Sequence, residues 1–336
     1  MKLQQRKELL ARLGSYLAGS DEQWQLVKQR AFLNNNWFIP EFIELSINSI
    51  AKQFLQPGQL QQLIDQYNIP EENLSPKKVG IVMAGNIPLV GFHDLLCVFL
   101  AGHYAIVKPS SKDEVLIKHI IDKMIEWNEE AAPFLTISLM LKNCDAYIAT
   151  GSNNSSRYFE YYFRKFPSII RKNRTSVAIL QGTESKEDLE ALADDVYQYF
   201  GLGCRNVTKI FVPKGYDFFP LLEAFKKYDH LAKHNKYKNN YDYNLAVHLL
   251  NNHYYMTNGS ILLIENTLPF SPISQLHYEY YVNEAETRMK LLLDENIQCV
   301  IGENNIGFGG AQCPQLCDYA DGVDTMKFLL DLNRKQ

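Results

Sequence analysis

The sequence predicts an α/β protein: two parallel-sheet domains in series behind a helical N-terminal segment. Three observations predict it. Apolar residues recur at three- and four-residue spacing over residues 1–70, the pattern changes from Lys78 to short β-rich runs alternating with amphipathic helices, and that alternation restarts near residue 175. Strand–helix–strand alternation at this spacing builds βαβ units, because parallel strands need a crossover between them. A chain of 336 residues suits two domains of about 150 residues each. The expected division is 1–174, with the helical segment at 1–70, and 175–336.

The elements follow in order. Leu9, Leu10, Leu13 and Leu17 share one helical face, and Pro40 and Pro57 punctuate the helices that follow. Val79–Ala84 reads as a strand, Val90–Ala101 as a helix, Tyr104–Val107 as a strand, Asp113–Trp127 as a helix and Ala146–Ala149 as a strand. The second series is strand Ser176–Leu180, helix Lys186–Phe200, strand Lys209–Val212 and helix Phe218–Tyr228. Lys226 to Asn240, rich in Lys, Asn and His, reads as a solvated surface segment.

Composition removes several classes of function. Hydrophobic residues at 46% and charged residues at 21% exclude a mainly disordered chain. A net charge of −4 offers no basic excess to hold a nucleic acid. The N-terminus is polar, without the apolar core of a signal peptide. The greasiest stretch, Val79 to Val107, is interrupted by Asn86, His93, Asp94 and His103, so no membrane span is expected. Six scattered cysteines fit reduced thiols in a cytoplasmic protein. Aromatics at 12% suit wide apolar surfaces and a greasy ligand. Cys313 and Cys317 stand four apart with no paired histidine, so no metal site is expected.

Four segments carry candidate chemistry. In Val79 to Gly91 a strand ends at Gly85-Asn86, with Pro88 where a helix can start. Asn86 is either the N-cap of that helix or an amide aimed into the crevice at the strand's C-terminal end, where it can stabilise an oxyanion. Lys108-Pro109-Ser110-Ser111 follows the second strand. It is either a polar loop or a cation-and-hydroxyl pair placed for a dinucleotide's adenosine ribose. No Gly-x-Gly-x-x-Gly loop follows the first strand, so the ordinary dinucleotide fingerprint is missing. Thr150-Gly151-Ser152 again joins a strand to a helix; its glycine either admits a ligand to the backbone or closes a turn. Gly203-Cys204-Arg205 lies in a glycine-flanked turn between helix and strand. Most cysteines are inert fillers, but Cys204 differs from the other five in this context, with a neighbouring cation that favours thiolate.

These four segments, in this order between about Lys78 and Tyr280, resemble the aldehyde dehydrogenase superfamily. The short chain and the Gly201-Leu-Gly-Cys-Arg-Asn206 stretch look most like its long-chain acyl-CoA reductases of the bacterial bioluminescence (LuxC) type. The resemblance implies a Rossmann-type cofactor domain at 1–174 and a catalytic domain carrying Cys204 at 175–336, with the active site in a cleft between them. It makes Cys204 the nucleophile and Asn86 the oxyanion donor. Lys108, Ser110 and Ser111 then hold the adenosine ribose, Thr150, Gly151 and Ser152 cover the cofactor, and Phe270 packs on it. Two departures are informative. The water-activating Glu of oxidative members is absent from Arg171–Ser176, which disfavours hydrolytic release of an acid. The second family Glu is missing from Leu268–Pro272, where Phe270 stands.

The implied reaction is NADPH-dependent reduction of a fatty acyl-CoA, or of an acyl-protein thioester, to the aldehyde through an acyl-cysteine. NADPH is expected because Ser111 stands where NAD-specific members commonly carry a Glu that repels a 2′-phosphate. The basic run Arg157, Arg164, Lys165, Arg171, Lys172 and Arg174 is either a solvated face or a contact for CoA or cofactor phosphates. The family is oligomeric, and an acyltransferase partner is compatible with an acyl-protein donor. Two rival readings are a cysteine-dependent acyltransferase or thioesterase, which wants a histidine base near the cysteine, and a silent scaffold for such a partner, which wants Cys204 buried.

Overall fold

A computed structural model of the chain describes residues 1–333. The chain divides into two compact units, residues 1–173 with the segment from Gln315 onward, and Arg174–Pro314.

Four helices open the first unit: α1 (Leu3–Leu17), α2 (Glu22–Asn34), α3 (Pro40–Gln53) and α4 (Pro57–Tyr67). The prolines stand in the first turns of α3 and α4, where a missing N–H costs nothing. Asp21 caps α2 by accepting the Trp24 N–H, and α4 ends on a left-handed Asn68. The α/β part follows as β1 (Lys78–Val82), α5 (Phe92–Leu100), β2 (Tyr104–Lys108), α6 (Glu114–Trp127), β3 (Leu135–Ile137), β4 (Ala146–Thr150), α7 (Asn153–Phe163) and β5 (Ser168–Arg171). The five strands form a wholly parallel sheet in the order β3-β2-β1-β4-β5. One buried cluster joins Leu10 and Leu13 of α1, Ile47 of α3 and Leu63 of α4 to Leu96 and Phe99 of α5 and Ile117 and Ile120 of α6. The helical segment is thus part of the same core as the sheet.

The second unit contains β6 (Thr175–Ile179), α8 (Lys186–Tyr197), β7 (Val207–Pro213), α9 (Phe219–Ala224), α10 (Asn235–Leu250), β8 (Met256–Thr257), β9 (Leu262–Glu265), β10 (Gln275–Tyr281), α11 (Glu284–Leu292) and β11 (Ile297–Ile301). Its sheet order is β11-β6-β7-β10-β9-β8, parallel except for the β8–β9 pair.

Three local expectations change. The helix expected from Val90 begins at Phe92, because Leu89 turns left-handed and gives its N–H to the Asp113 carboxyl group. The helix expected to reach Phe200 stops at Tyr197, because Tyr199 and Phe200 are both left-handed. The segment 226–240 is not a bare surface loop. A 3₁₀ stretch and the start of α10 occupy it, with Tyr228, Leu231 and Tyr237 buried and the Tyr228 ring stacked on Tyr197 at 5.0 Å.

The last helix, α12 (Thr325–Asp331), groups with the first unit, although the sequence placed everything past residue 174 in one domain. Met326 and Leu329 enter the first core, and the Leu329 carbonyl accepts from the ring of buried His103 at 3.0 Å. The Arg171 guanidinium reaches the Thr325 hydroxyl at 2.9 Å while pairing with Asp94.

Candidate functional site

In the first unit, β1, β2 and β4 send their C-terminal ends to one sheet edge, and the strand order reverses between β1 and β4. Ligands of open parallel sheets bind outside such a reversal. Three of the sequence segments stand there: 83–91 after β1, 109–113 after β2 and 151–152 after β4.

Asn86 is half-buried in the loop after β1. Its reading as a helix cap falls, because the cap of α5 is Gly91. The loop is pinned from two sides: Ser46 Oγ donates to the Pro88 carbonyl at 2.7 Å, and Asp113 Oδ2 accepts the Leu89 N–H at 2.7 Å. Burial pushes the Asp113 carboxyl well above the usual carboxylate range, against the opposing effect of the Leu89 N–H. Gly85 is required by a close approach, since a Cβ there would lie 2.6 Å from Ser110 Oγ.

The loop after β2 is a tight turn. The Asp113 N–H donates to the Ser110 carbonyl at 2.9 Å and the Lys112 N–H to Ser110 Oγ at 3.3 Å. Asn34 and Asn35, at the end of α2, donate to the Ser111 and Lys112 carbonyls, both at 3.3 Å. Lys108, Ser111 and Lys112 are exposed and Ser110 is half-buried. Ser111 is not the cap of α6; Asp113 holds that position. Two ammonium groups and two hydroxyls suit ribose hydroxyls or a ribose phosphate, so this donor set fits the adenosine end of a nicotinamide dinucleotide.

Thr150 ends β4, and Ser152 caps α7 by accepting the Ser155 N–H. A Cβ on Gly151 would stand 2.9 Å from both Phe159 and Ser155, so the seating of α7 already accounts for that glycine. The basic run is not one surface. Arg171 is buried against Asp94, and Lys172 pairs with Glu160 at 2.9 Å.

In the second unit, Cys204 is a half-buried thiol, outside any disulfide, in the turn before β7. Asn206, with no solvent exposure, organises that turn. Its Nδ2 donates to the carbonyls of Asp195 (3.1 Å), Val196 (3.4 Å) and Gln198 (2.8 Å), and its Oδ1 accepts the Gly203 N–H at 2.8 Å. One amide therefore ends α8 and opens the cysteine turn. Asp195, also fully buried, accepts the N–H groups of Gly309 (2.7 Å) and Ala311 (2.9 Å). Arg205 Nε donates to the Ala311 carbonyl, so the 309–311 segment is held beside the cysteine turn. Burial raises the Asp195 carboxyl to about 7, against the lowering effect of the two N–H bonds. Sequence reading missed Asn206 and Asp195 as supports; the Asn two residues after the cysteine was the only local signal.

Phe270 is half-buried in the loop between β9 and β10. The neighbouring Pro269 carbonyl accepts from Thr208 Oγ1 at 2.7 Å, which ties that loop to β7. Among the described residues no cluster of His, Cys, Asp or Glu has the makings of a metal site, and no helix is long and apolar enough to cross a membrane.

The sequence model of one protein family, described as acyl-CoA reductase (LuxC), matches residues 48–219. A comparison with curated proteins found no match. Among solved structures the chain is similar to a Mycobacterium tuberculosis aldehyde dehydrogenase complexed with NAD+, at 13% identity and a TM-score of 0.65, covering 90% of this chain and 73% of that one. It is similar also to the aldehyde dehydrogenase KauB from Pseudomonas aeruginosa, at 14% identity and a TM-score of 0.64, covering 90% and 72%. An E. coli NADP-dependent enzyme matches at 11% identity and a TM-score of 0.62, covering 90% and 73%. At these identities the likeness establishes the fold: an aldehyde-dehydrogenase-like α/β architecture with a helical N-terminal segment.

Proposed function

The chain belongs to the acyl-CoA reductase (LuxC) family, an aldehyde-forming oxidoreductase by that membership, and on this premise we propose that it reduces a fatty acyl thioester with NADPH through an acyl-cysteine on Cys204. The observation that carries the reading is that the family match encloses Asn86, Lys108–Ser111, Thr150–Ser152 and Cys204 together. The half-buried Cys204 thiol supports a nucleophile's role and counts against a silent scaffold.

In this mechanism the Cys204 thiolate attacks the thioester carbonyl, and a C–S bond to Cys204 forms. The Asn86 amide and a backbone N–H hold the oxyanion. The old C–S bond then breaks, and CoA, or the acyl protein's thiol, leaves and takes up a proton. The nicotinamide, when bound, supplies the hydride that reduces the acyl-cysteine. Collapse of the resulting thiohemiacetal releases aldehyde and regenerates the Cys204 thiolate. The net change is acyl thioester, NADPH and a proton to aldehyde, thiol and NADP+. Lys108, Ser110 and Ser111 would hold the adenosine ribose and its phosphate, Thr150, Gly151 and Ser152 would cover the cofactor, and Phe270 would pack against it. The chain lacks a carboxylate in Arg171–Ser176 to activate water, which favours aldehyde over acid.

The test is loss of nicotinamide absorbance with a series of acyl-CoAs, run with wild type and Cys204→Ala. Turnover in wild type that disappears in the variant supports the mechanism; equal turnover in both overturns it.

A further inference from the structure

The contact between the loops after β1 and β2 contains three unfavourable features in one place. Asp113 occupies the N-cap of α6 but makes no capping bond to that helix, although capping is what an aspartate normally does there. Its carboxyl is buried at 6% exposure, with Oδ1 lacking a partner among the described residues. Leu89, buried at 3%, is held at a φ of 57°, a region leucine avoids. Such outliers persist where the surrounding structure needs the geometry they impose.

The one bond they share is Asp113 Oδ2 to the Leu89 N–H, and it joins two motifs. Asp113 closes the turn that begins at Ser110, and Leu89 stands three residues after Asn86. The other anchor of the Asn86 loop, Ser46, comes from α3. Gly85 brings the backbone of one loop against Ser110 of the other, so displacement of either is felt by both.

We propose that Asp113 is a positioning residue that couples the two loops: a ribose or ribose phosphate seated on Lys108–Lys112 sets, through the Asp113–Leu89 bond, the position of the Asn86 amide. This rests on the reading of Asn86 as oxyanion donor. Cofactor seating and oxyanion geometry are then reciprocally linked, as any coupling between two sites must be. Cys204 is acylated fastest when the dinucleotide is already bound, which biases acyl-enzyme formation toward enzyme that already holds its reductant. Burial favours the neutral acid at Asp113, so Asp113→Asn retains both charge state and acceptor. Asp113→Leu keeps the bulk and removes the acceptor.

The experiment follows acylation of Cys204 by decanoyl-CoA using intact mass. It is run with and without saturating oxidised dinucleotide (NADP+ or NAD+), which cannot deliver hydride. Wild type should be acylated at least about threefold faster with dinucleotide. Asp113→Leu should be about tenfold to a hundredfold slower and insensitive to dinucleotide, as expected when a catalytic group is misplaced by an ångström or so. Asp113→Asn should retain the dinucleotide effect. Wild-type acylation indifferent to dinucleotide, or an undiminished effect in Asp113→Leu, overturns the proposal. Should Asp113→Leu fail to fold, hydrogen exchange at the wild-type Leu89 amide decides: dinucleotide must slow it, and unchanged exchange overturns the coupling. Asn86→Ala separates the two readings. Normal acylation in that variant removes the oxyanion role itself, whereas slow acylation there with normal Asp113→Leu removes only the coupling.

Discussion

Replacing Asn206 by alanine removes a side chain with no solvent exposure that serves three carbonyls and one N–H. An amide nitrogen carries two hydrogens, so the 3.4 Å contact to Val196 is a shared one. The alanine variant leaves about two acceptors and one donor unsatisfied. Each orphaned buried group costs about 1–3 kcal/mol. Allowing for water entering the vacated space, the loss is about 3–5 kcal/mol, at the upper end for single substitutions. Asn206→Asp provides a sharper test. It keeps the acceptor for the Gly203 N–H but turns a carboxylate oxygen toward the three carbonyls, so it should cost more than alanine despite its closer shape. Urea unfolding followed by circular dichroism measures both. Below the unfolding transition, acylation of Cys204 by acyl-CoA should fall at least about tenfold in Asn206→Ala, because the turn that aims the thiol is no longer tied. A cost below about 1 kcal/mol, or an aspartate variant milder than alanine, would refute this account of the cysteine turn.

Incubation with acyl-CoA and no reductant should leave an acyl adduct on Cys204, found by peptide mass spectrometry; an adduct on another of the six cysteines shows the wrong nucleophile was chosen. Ser111→Glu should shift the ratio of kcat/KM for NADPH over NADH toward NADH by about tenfold or more, since a carboxylate repels a 2′-phosphate; an unmoved ratio ends this reading of the loop. Asp195 predicts a pH dependence of stability. Its carboxyl is raised in the folded chain to about 7, so its contribution is fully present below the unfolded value of about 3.9 and is lost as pH rises through about 7. The stability of wild type relative to Asp195→Asn should therefore decline from about pH 4 to pH 7 and level off above; urea titrations showing a rise over that window would contradict the sign.

The place of the candidate segments in the fold was legible from strand ends. Val79, Val107 and Ala149 lie in short β-rich apolar runs that suit buried parallel strands, and the polar residues that follow them fall at or just beyond the carboxyl ends: Lys108 and Thr150 end β2 and β4, and Asn86 stands in the loop after β1. That inference needs only neighbours in sequence. The start of α5 at Phe92 was not legible, because it depends on the Asp113 carboxyl group, 24 residues from Leu89. The end of α8 at Tyr197 depends on Asn206, whose bonds reach 8 to 11 residues back. Residues 226–240 looked solvated because their charges are, while the aromatic face that buries them became visible only against Tyr197.

The α/β class, the four motifs and their order are written in local sequence, since periodicity and turn chemistry act over a few residues and survive without any partner. Tertiary structure decided which groups support those motifs. Asp113 meets Leu89, Asp195 meets Gly309 at a separation of 114 residues, and Arg171 meets Thr325 at 154. A buried polar group has to find a partner wherever folding brings one, and no local pattern records which distant residue that will be.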